Sequence, residues 1–255
     1  MNMSLGKIYC AGGTQASRFA QRMLTDAGLP VTDIPGPDVG HLLLDVPSFS
    51  PSGSLRTGGN VKELLQRLPT DCTVYGGNLN HPALREYRTM DFLKQEGYLA
   101  ENAYITAECA LDVALPYLTV TLRHCPVLVI GWGRIGKCLG KILKALDSDV
   151  TISARKPADL AMISALGYHA VHTGTISESI GQYRLIFNTV PSPVLSWAEL
   201  QRCRNDCVKI ELASTDGMVG EDLIIARGLP GIHLPESSGQ LIAKTFLQAY
   251  KEEAT

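Results

Sequence analysis

Gly131-Trp132-Gly133-Arg134-Ile135-Gly136 stands between the apolar run Pro126–Ile130 and a stretch at 134–146 whose Ile135, Leu139, Ile142, Leu143 and Leu146 recur at helical spacing. Three glycines at those positions restrict what the segment can become. Gly131 permits a tight turn, Gly133 leaves room for a pyrophosphate against the backbone, and Gly136 lets a helix pack close to a strand. The N-terminus of that helix then offers backbone N–H groups and a partial positive charge to an anion. Strand, glycine turn and helix in this order predict the phosphate turn of a βαβ dinucleotide-binding unit.

The end of the next strand reads the cofactor. An NAD-specific unit carries Asp or Glu about 20 residues beyond the first glycine, where it binds the ribose 2′-hydroxyl. Here the second strand is expected at 150–153, followed by Ala154, Arg155 and Lys156, while Asp147 and Asp149 precede it. Arg155 offers a planar fork to a 2′-phosphate and a face to adenine, Lys156 adds a point charge, and Ser153 adds a hydroxyl. NADP is therefore expected, with NAD less favoured. The competing reading makes Arg155 and Lys156 a solvated corner between strand and helix.

The alternation extends along the chain. Strands are expected at 7–10, 41–46 and 73–75, with helices from Gly12-Gly13-Thr14 to Ala27 and at 61–68. A helix at 106–121, despite Pro116, leads into strands at 127, 150, 170, 185–188, 208–212 and 232–234, with a helix at 157–167. The fold class is α/β: two Rossmann-like domains, the second a doubly wound parallel sheet carrying the G-x-G-x-x-G turn. Residues 1–104 form the substrate domain, joined by a C-terminal helix at 237–255 whose Leu241, Ile242, Thr245, Phe246 and Ala249 are core, and 105–236 form the nucleotide-binding domain. The long 47–60 loop, rich in Ser and Gly, is either functional or a flexible excursion.

At 255 residues, 45% hydrophobic and 19% charged, the chain has enough apolar material for two modest cores. A net charge of −2 with dispersed basic residues argues against a nucleic-acid track or a membrane-binding face, so small molecules are the expected partners. The opening residues lack a signal-like segment and no run approaches bilayer length, which gives a cytoplasmic expectation. Seven cysteines (Cys10, Cys72, Cys109, Cys125, Cys138, Cys203 and Cys207) contain no C-x-x-C pair and no zinc-like spacing with His. They read as reduced thiols, and no metal is expected.

The stretches NAYITAECALDVAL, VLVIGWGRIGKCLGKILKALDSDVTISARK, FNTVP, ELAS and GLPGIHLPESSGQLIA resemble, in order and spacing, the family of dipicolinate synthase A subunits, most densely over 102–243. The resemblance implies NADP-linked oxidation of a dihydrodipicolinate-type ring to pyridine-2,6-dicarboxylate, in sporulation, by an enzyme built like the 2-hydroxyacid dehydrogenases. It also implies a flavoprotein-like B subunit as partner. Carried over by position, Gly131, Gly133, Arg134, Ile135 and Gly136 look like the phosphate turn, and Ala154 with Arg155 like its adenosine-side companion. Asn188, Thr189, Val190 and Pro191 resemble the loop approaching the nicotinamide ribose, with Ala213 and Ser214 on the next strand end. Thr106 and Glu108 match a T-x-E motif, and Gly228, Leu229, Pro230, Gly231, Pro235 and Gly239 match a closing motif. This chain departs from that motif at Glu236, Ser237 and Ser238, where the family carries a Lys after the second Pro and Thr-Ala before the Gly.

Aromatising a dihydropyridine moves a hydride to the cofactor and a proton to a base, with both ring carboxylates held in place. Candidate carboxylate partners are Arg56, Arg85 and Arg88, with Ser48, Ser50, Asn78 and Thr106 as neutral donors. Glu108, His233 and His81 are the candidate bases, and Asp216 either approaches the nicotinamide or caps a turn with Gly217. Three readings stay open: an NADP-dependent dehydrogenase acting on a small dicarboxylate, a non-catalytic NADP(H)-binding or sensor subunit, and a dehydrogenase of another small acid. A homo-oligomer is expected in each.

Overall fold

Short apolar runs separated by helices form two all-parallel sheets in the computed structural model, which describes residues 6–253. The chain divides into two units, one built from residues up to Asn102 and from Pro230 onward, the other from Ala103–Leu229. Expectations for residues 1–5 and 254–255 lie outside the described residues.

The first unit contains β1 (Lys7–Cys10), α1 (Gln15–Asp26), β2 (Val31–Thr32), β3 (Val39–Leu43), α2 (Val61–Leu65), β4 (Thr73–Gly76) and β5 (Arg88–Asp91). Its strand order is β2-β1-β3-β4-β5, so the order reverses between β1 and β3. At that reversal lies Asp45, 3% exposed. Its carboxylate accepts from the backbone N–H groups of Gly13 and Thr14, each at 3.2 Å, from the Thr14 hydroxyl at 2.7 Å, and from the Ser17 hydroxyl. Thr14 also N-caps α1, accepting from the Ser17 N–H at 3.2 Å. A side-chain carboxylate thus occupies the helix N-terminus where a doubly wound sheet elsewhere holds a phosphate. Replacing it (D45A) orphans several donors at once. We expect a loss of about 2–4 kcal/mol, measured as a shifted denaturant midpoint; an unchanged midpoint would remove the tie.

The helix α3 (Glu96–Ala114) opens in the first unit and ends in the second. The second unit continues with β6 (Pro126–Ile130), α4 (Arg134–Ala145), β7 (Asp149–Ala154), α5 (Pro157–Ala165), β8 (His169–His172), α6 (Ile176–Ser179), β9 (Leu185–Asn188), α7 (Trp197–Leu200), β10 (Val208–Glu211) and β11 (Leu223–Ile225). The strand order is β11-β10-β9-β6-β7-β8, reversing between β6 and β9 as in a doubly wound dinucleotide fold. Val127, Leu128, Val129 and Ile130 of β6 are fully buried, as a central parallel strand covered on both faces requires. The register pairs Ile130 with both Ser153 and Asn188, so the ends of β6, β7 and β9 lie side by side.

The chain returns to the first unit through α8 (Pro230–His233) and α9 (Pro235–Glu253). Leu241, Ile242, Thr245, Phe246 and Ala249 of α9 are all buried, as their spacing predicts. The helix packs on α1 at Gly239, where a Cβ would come within 2.5 Å of the Ala16 carbonyl oxygen and the Phe19 Cβ. This close approach gives the closing-motif glycine a packing role.

Several expected elements differ. The helix expected at 106–121 runs Glu96–Ala114 and gives way to a 3-10 turn at Leu115–Tyr117, because the residue before Pro116 disfavours helical geometry. The strand expected at 232–234 is the short helix α8, opened by Pro230 at its first position. Asp149 begins β7 instead of preceding it, though at the strand end remote from the glycine turn.

Candidate functional site

The ends of β6, β7 and β9 border a cavity of about 500 Å³, within the range typical of small-molecule sites. Gly131 adopts φ +106°, and a Cβ there would lie 2.6 Å from the Thr189 hydroxyl, so the turn demands glycine. At Gly136 a Cβ would lie 2.1 Å from the Gly131 carbonyl oxygen, so the helix can follow the turn this tightly only without a side chain. Gly133 is different: its backbone is extended (φ −81°, ψ −170°), and a Cβ would meet nothing within 4 Å. Its missing side chain leaves open space over the first turn of α4, and no side chain caps that helix. An anion can therefore approach the α4 N-terminus.

Charge is distributed along the same rim. Arg155 and Lys156, both exposed, follow β7 directly and line the cavity beside Asp159 from the first turn of α5. Across from them, His172, Thr173 and Gly174 close β8 and continue beyond it. His172 Nδ1 accepts from the Gly174 N–H at 3.1 Å, which assigns the ring proton to Nε2. The Thr189 hydroxyl donates to the Ile130 carbonyl at 2.8 Å and ties β9 to β6 beneath the turn.

Behind the third rim lies a fully buried carboxylate. Glu211, at the end of β10, accepts from the Asn188 side-chain amide at 2.8 and 2.9 Å. It also accepts from the backbone N–H groups of Ala213 at 3.0 Å, Gly217 at 3.1 Å and Met218 at 3.0 Å. Asn188, itself fully buried, also exchanges hydrogen bonds with Val190, accepting from its N–H and donating to its carbonyl, each at 3.1 Å. One carboxylate thus fixes both the 188–191 and 213–218 loops. Asp216 in the second loop pairs with Arg227 at 2.6 Å, and the Arg227 Nε donates to the Ala213 carbonyl at 2.7 Å.

Gly131, Gly133, Ala154, Arg155, Lys156, Thr189, Val190 and Pro191, all singled out from the sequence, line the cavity. Arg134, Ile135 and Gly136 form the helix start behind it, and Asn188 supports it from the core. Ser153 is fully buried and accepts from the Thr173 hydroxyl at 3.3 Å, so it braces a strand end and does not line the cavity. Ala213 is buried and Ser214 exposed, both outside the lining.

The candidate bases and substrate donors are more scattered. Glu108 is exposed in the middle of α3 and not in a first helical turn, Thr106 on the same helix is buried, and His233 ends α8. In the first unit the buried Ser48 hydroxyl donates to the Asp45 carbonyl at 2.8 Å and accepts from the Gly77 N–H at 3.2 Å, which places it in the framework of its loop. Asn78 adopts φ +58° and its N–H donates to Asp91 at 3.1 Å. Ser50 bonds Ser52 at 2.8 Å; Arg56, Arg85 and Arg88 are exposed, and His81 stacks on Phe49 at 4.5 Å between ring centroids. Sequence reasoning missed Trp132, Asp159, the 172–174 rim, Ser192, Pro193, Val194 and the anchoring Glu211. The rim residues have a legible signal, since they lie at or just past the ends of parallel strands; Glu211 has none beyond a carboxylate closing an apolar strand.

No protein-family model matches the chain. In sequence it is 25% identical to the A subunit of dipicolinate synthase from Bacillus subtilis (strain 168) over 241 residues, which span 87% of this chain and 81% of that one. The chain is similar to the dipicolinate synthase A subunit. The crystal structure of the dipicolinate synthase A chain from Bacillus subtilis superposes with a TM-score of 0.82 at 23% identity, covering 98% of this chain and 97% of the other. A transhydrogenase structure from Sinorhizobium meliloti superposes with a TM-score of 0.70 at 16% identity, covering 90% and 80%. The likeness to the synthase A subunit extends through both units, and the fold is shared more widely with the transhydrogenase. Among the described residues, no helix is long and apolar enough to cross a membrane.

Proposed function

We propose that the chain is the NADP-linked oxidoreductase component of a cytoplasmic dipicolinate synthase, oxidising a dihydrodipicolinate-type ring to pyridine-2,6-dicarboxylate during sporulation. The observation that carries this reading is the sequence likeness to the dipicolinate synthase A subunit along 87% of the chain. The cations at the end of β7 support NADP over NAD. A flavoprotein-like B subunit is the proposed partner, and the chain itself is proposed to form a homo-oligomer.

Bound NADP⁺ supplies the hydride acceptor. The 131–136 turn and the α4 N-terminus would hold the pyrophosphate, Arg155 would grip the 2′-phosphate as a fork with Lys156 as a second charge, and the 188–191 loop would hold the nicotinamide ribose. Asn78 and Thr106 are the proposed substrate donors, Ser48 being committed to its own loop, and Glu108 or His233 the proposed acceptor of the ring proton. Because a Cβ at residue 133 meets no protein atom within 4 Å, G133A keeps its fold. Its methyl group would stand where this reading puts the pyrophosphate, so we expect unchanged melting with NADPH affinity reduced about tenfold or more. A variant that binds like the wild type would move the phosphate away from this turn.

Turnover tests the whole reading. Protein, NADP⁺ and freshly generated dihydrodipicolinate precursor are mixed, and cofactor reduction and dipicolinate are followed together, with and without the flavoprotein-like partner. Parallel appearance of both products is expected; absence of both with the partner present contradicts it. A second reading, a protein that holds NADP(H) without turnover, draws on Glu236 in place of the family's cation and on the exposure of Glu108. Tight NADPH binding without dipicolinate formation would favour it.

A further inference from the structure

His172 ends β8 directly beside the strand that leads to Arg155. The register pairs His172 with Ala154, the residue before Arg155, and all three line one cavity with Lys156 and Asp159. The corner is held from several directions. His172 Nδ1 accepts from the Gly174 N–H at 3.1 Å, and the His172 carbonyl accepts from the Thr175 hydroxyl at 3.1 Å. The Thr173 hydroxyl donates to the hydroxyl of the fully buried Ser153 at 3.3 Å, which anchors the end of β8 to the core of β7.

With Nδ1 engaged as an acceptor, the ring proton sits on Nε2. Among the described residues nothing bonds Nε2, and the residue is exposed on the rim. We propose that His172 is a specificity-determining residue whose Nε2–H donates to the cofactor 2′-phosphate and completes, with Arg155 and Lys156, the group that tells NADP from NAD. This assignment rests on the reading of the cavity as an NADP site.

Charge gives a third donor its use. Arg155 and Lys156 bring two positive charges to the rim, and Asp159, in the first turn of α5, offsets one of them. A phosphate monoester carries about −1.5 to −2 near neutral pH and offers three strong acceptor oxygens. The rim therefore holds less positive charge than such a group brings negative, and a further N–H matches an oxygen that the arginine fork leaves free. The local turn alone does not call for an imidazole. His172 caps the 3-10 turn Thr173–Thr175, a task for which Ser, Thr, Asp and Asn are the preferred residues. The imidazole fills the cap with one nitrogen and carries a donor on the opposite side of the ring, farther from the backbone than those short side chains reach. Because the cap bond fixes the ring, little side-chain freedom is lost when that donor engages a ligand.

H172N tests this directly, since Asn keeps a capping acceptor for the Gly174 N–H and removes the outer nitrogen. The variant and the wild type are titrated by calorimetry with NADPH, NADH and adenosine 2′,5′-bisphosphate, and their melting is compared. We expect NADPH and the bisphosphate to bind about 5- to 10-fold more weakly to H172N, NADH to bind as it does to the wild type, and the melting temperature to stay unchanged. H172S, which also keeps a capping oxygen, repeats the measurement should H172N fold poorly. NADPH bound by the variant as tightly as by the wild type, or equal losses for NADPH and NADH, would overturn the assignment. The same titrations separate it from the reading beneath it. A wild type without preference for NADPH removes both, whereas a preference that R155D abolishes and H172N leaves intact removes the role of His172 alone.

Discussion

R155D is expected to weaken NADPH binding by about 10- to 100-fold, the range that loss of a charged hydrogen bond of roughly 1.5–3 kcal/mol produces, while NADH binding changes far less. Arg155 follows the last residue of β7, is exposed, and lines the cavity. Among the described residues it joins no ion pair, so its replacement dismantles no structural contact. The melting temperature is therefore expected to stay put, as for surface substitutions generally, within about 0.5 kcal/mol. An Asp at this position also offers an acceptor to the ribose 2′-hydroxyl of NADH, the arrangement by which related folds select NAD. Parallel titrations with the two reduced cofactors check the outcome. Equal losses for both would show that the side chain contributes general charge and reads no 2′-phosphate.

E211Q acts on the framework behind the site. The Glu211 carboxylate is fully buried and accepts from three backbone N–H groups and the Asn188 amide. Glutamine keeps one acceptor oxygen but turns an NH₂ group toward N–H donors, leaving buried donors unpaired in a closed interior. We expect a loss of about 3–5 kcal/mol and a fall in melting temperature on the order of 10 °C. Because this carboxylate holds both the 188–191 and 213–218 loops, NADPH affinity is expected to fall as well, in a variant far from the phosphates. Unchanged melting would mean that Gln satisfies the same donors and that the loops are held elsewhere.

These two residues also mark the limits of what the sequence discloses. Arg155 was legible because the glycine turn fixes where the second strand must end, and an arginine at that end has a chemical meaning. Glu211 was not, since a carboxylate after Val208, Lys209 and Ile210 resembles any polar strand terminus until the folded loops direct their N–H groups at it. The central strands β6 and β9 announce themselves as short apolar runs, being buried on both faces. The missed strands β2, β5 and β11 are all sheet edges, and Arg88–Asp91 carries charged and polar residues that pair on one side only. The start of α3 was obscured by Gly97 within its first turn, whereas Pro116 sets its end more sharply than helical periodicity indicated.

The Gly12-Gly13-Thr14 turn after β1 reads in sequence much like the turn after β6, yet its helix start is already satisfied by the Asp45 carboxylate. Two glycine turns on two parallel sheets therefore have different chemistry, one closed by the protein and one open at Gly133.

Calorimetric titration of the wild-type protein with NADPH and, separately, with NADH tests the cofactor assignment most directly. Saturable binding of NADPH, at least about tenfold tighter than that of NADH, is the predicted result. No saturable binding of either cofactor, or NADH bound as tightly as NADPH, would contradict the assignment of the β6–β7–β9 cavity as an NADP site.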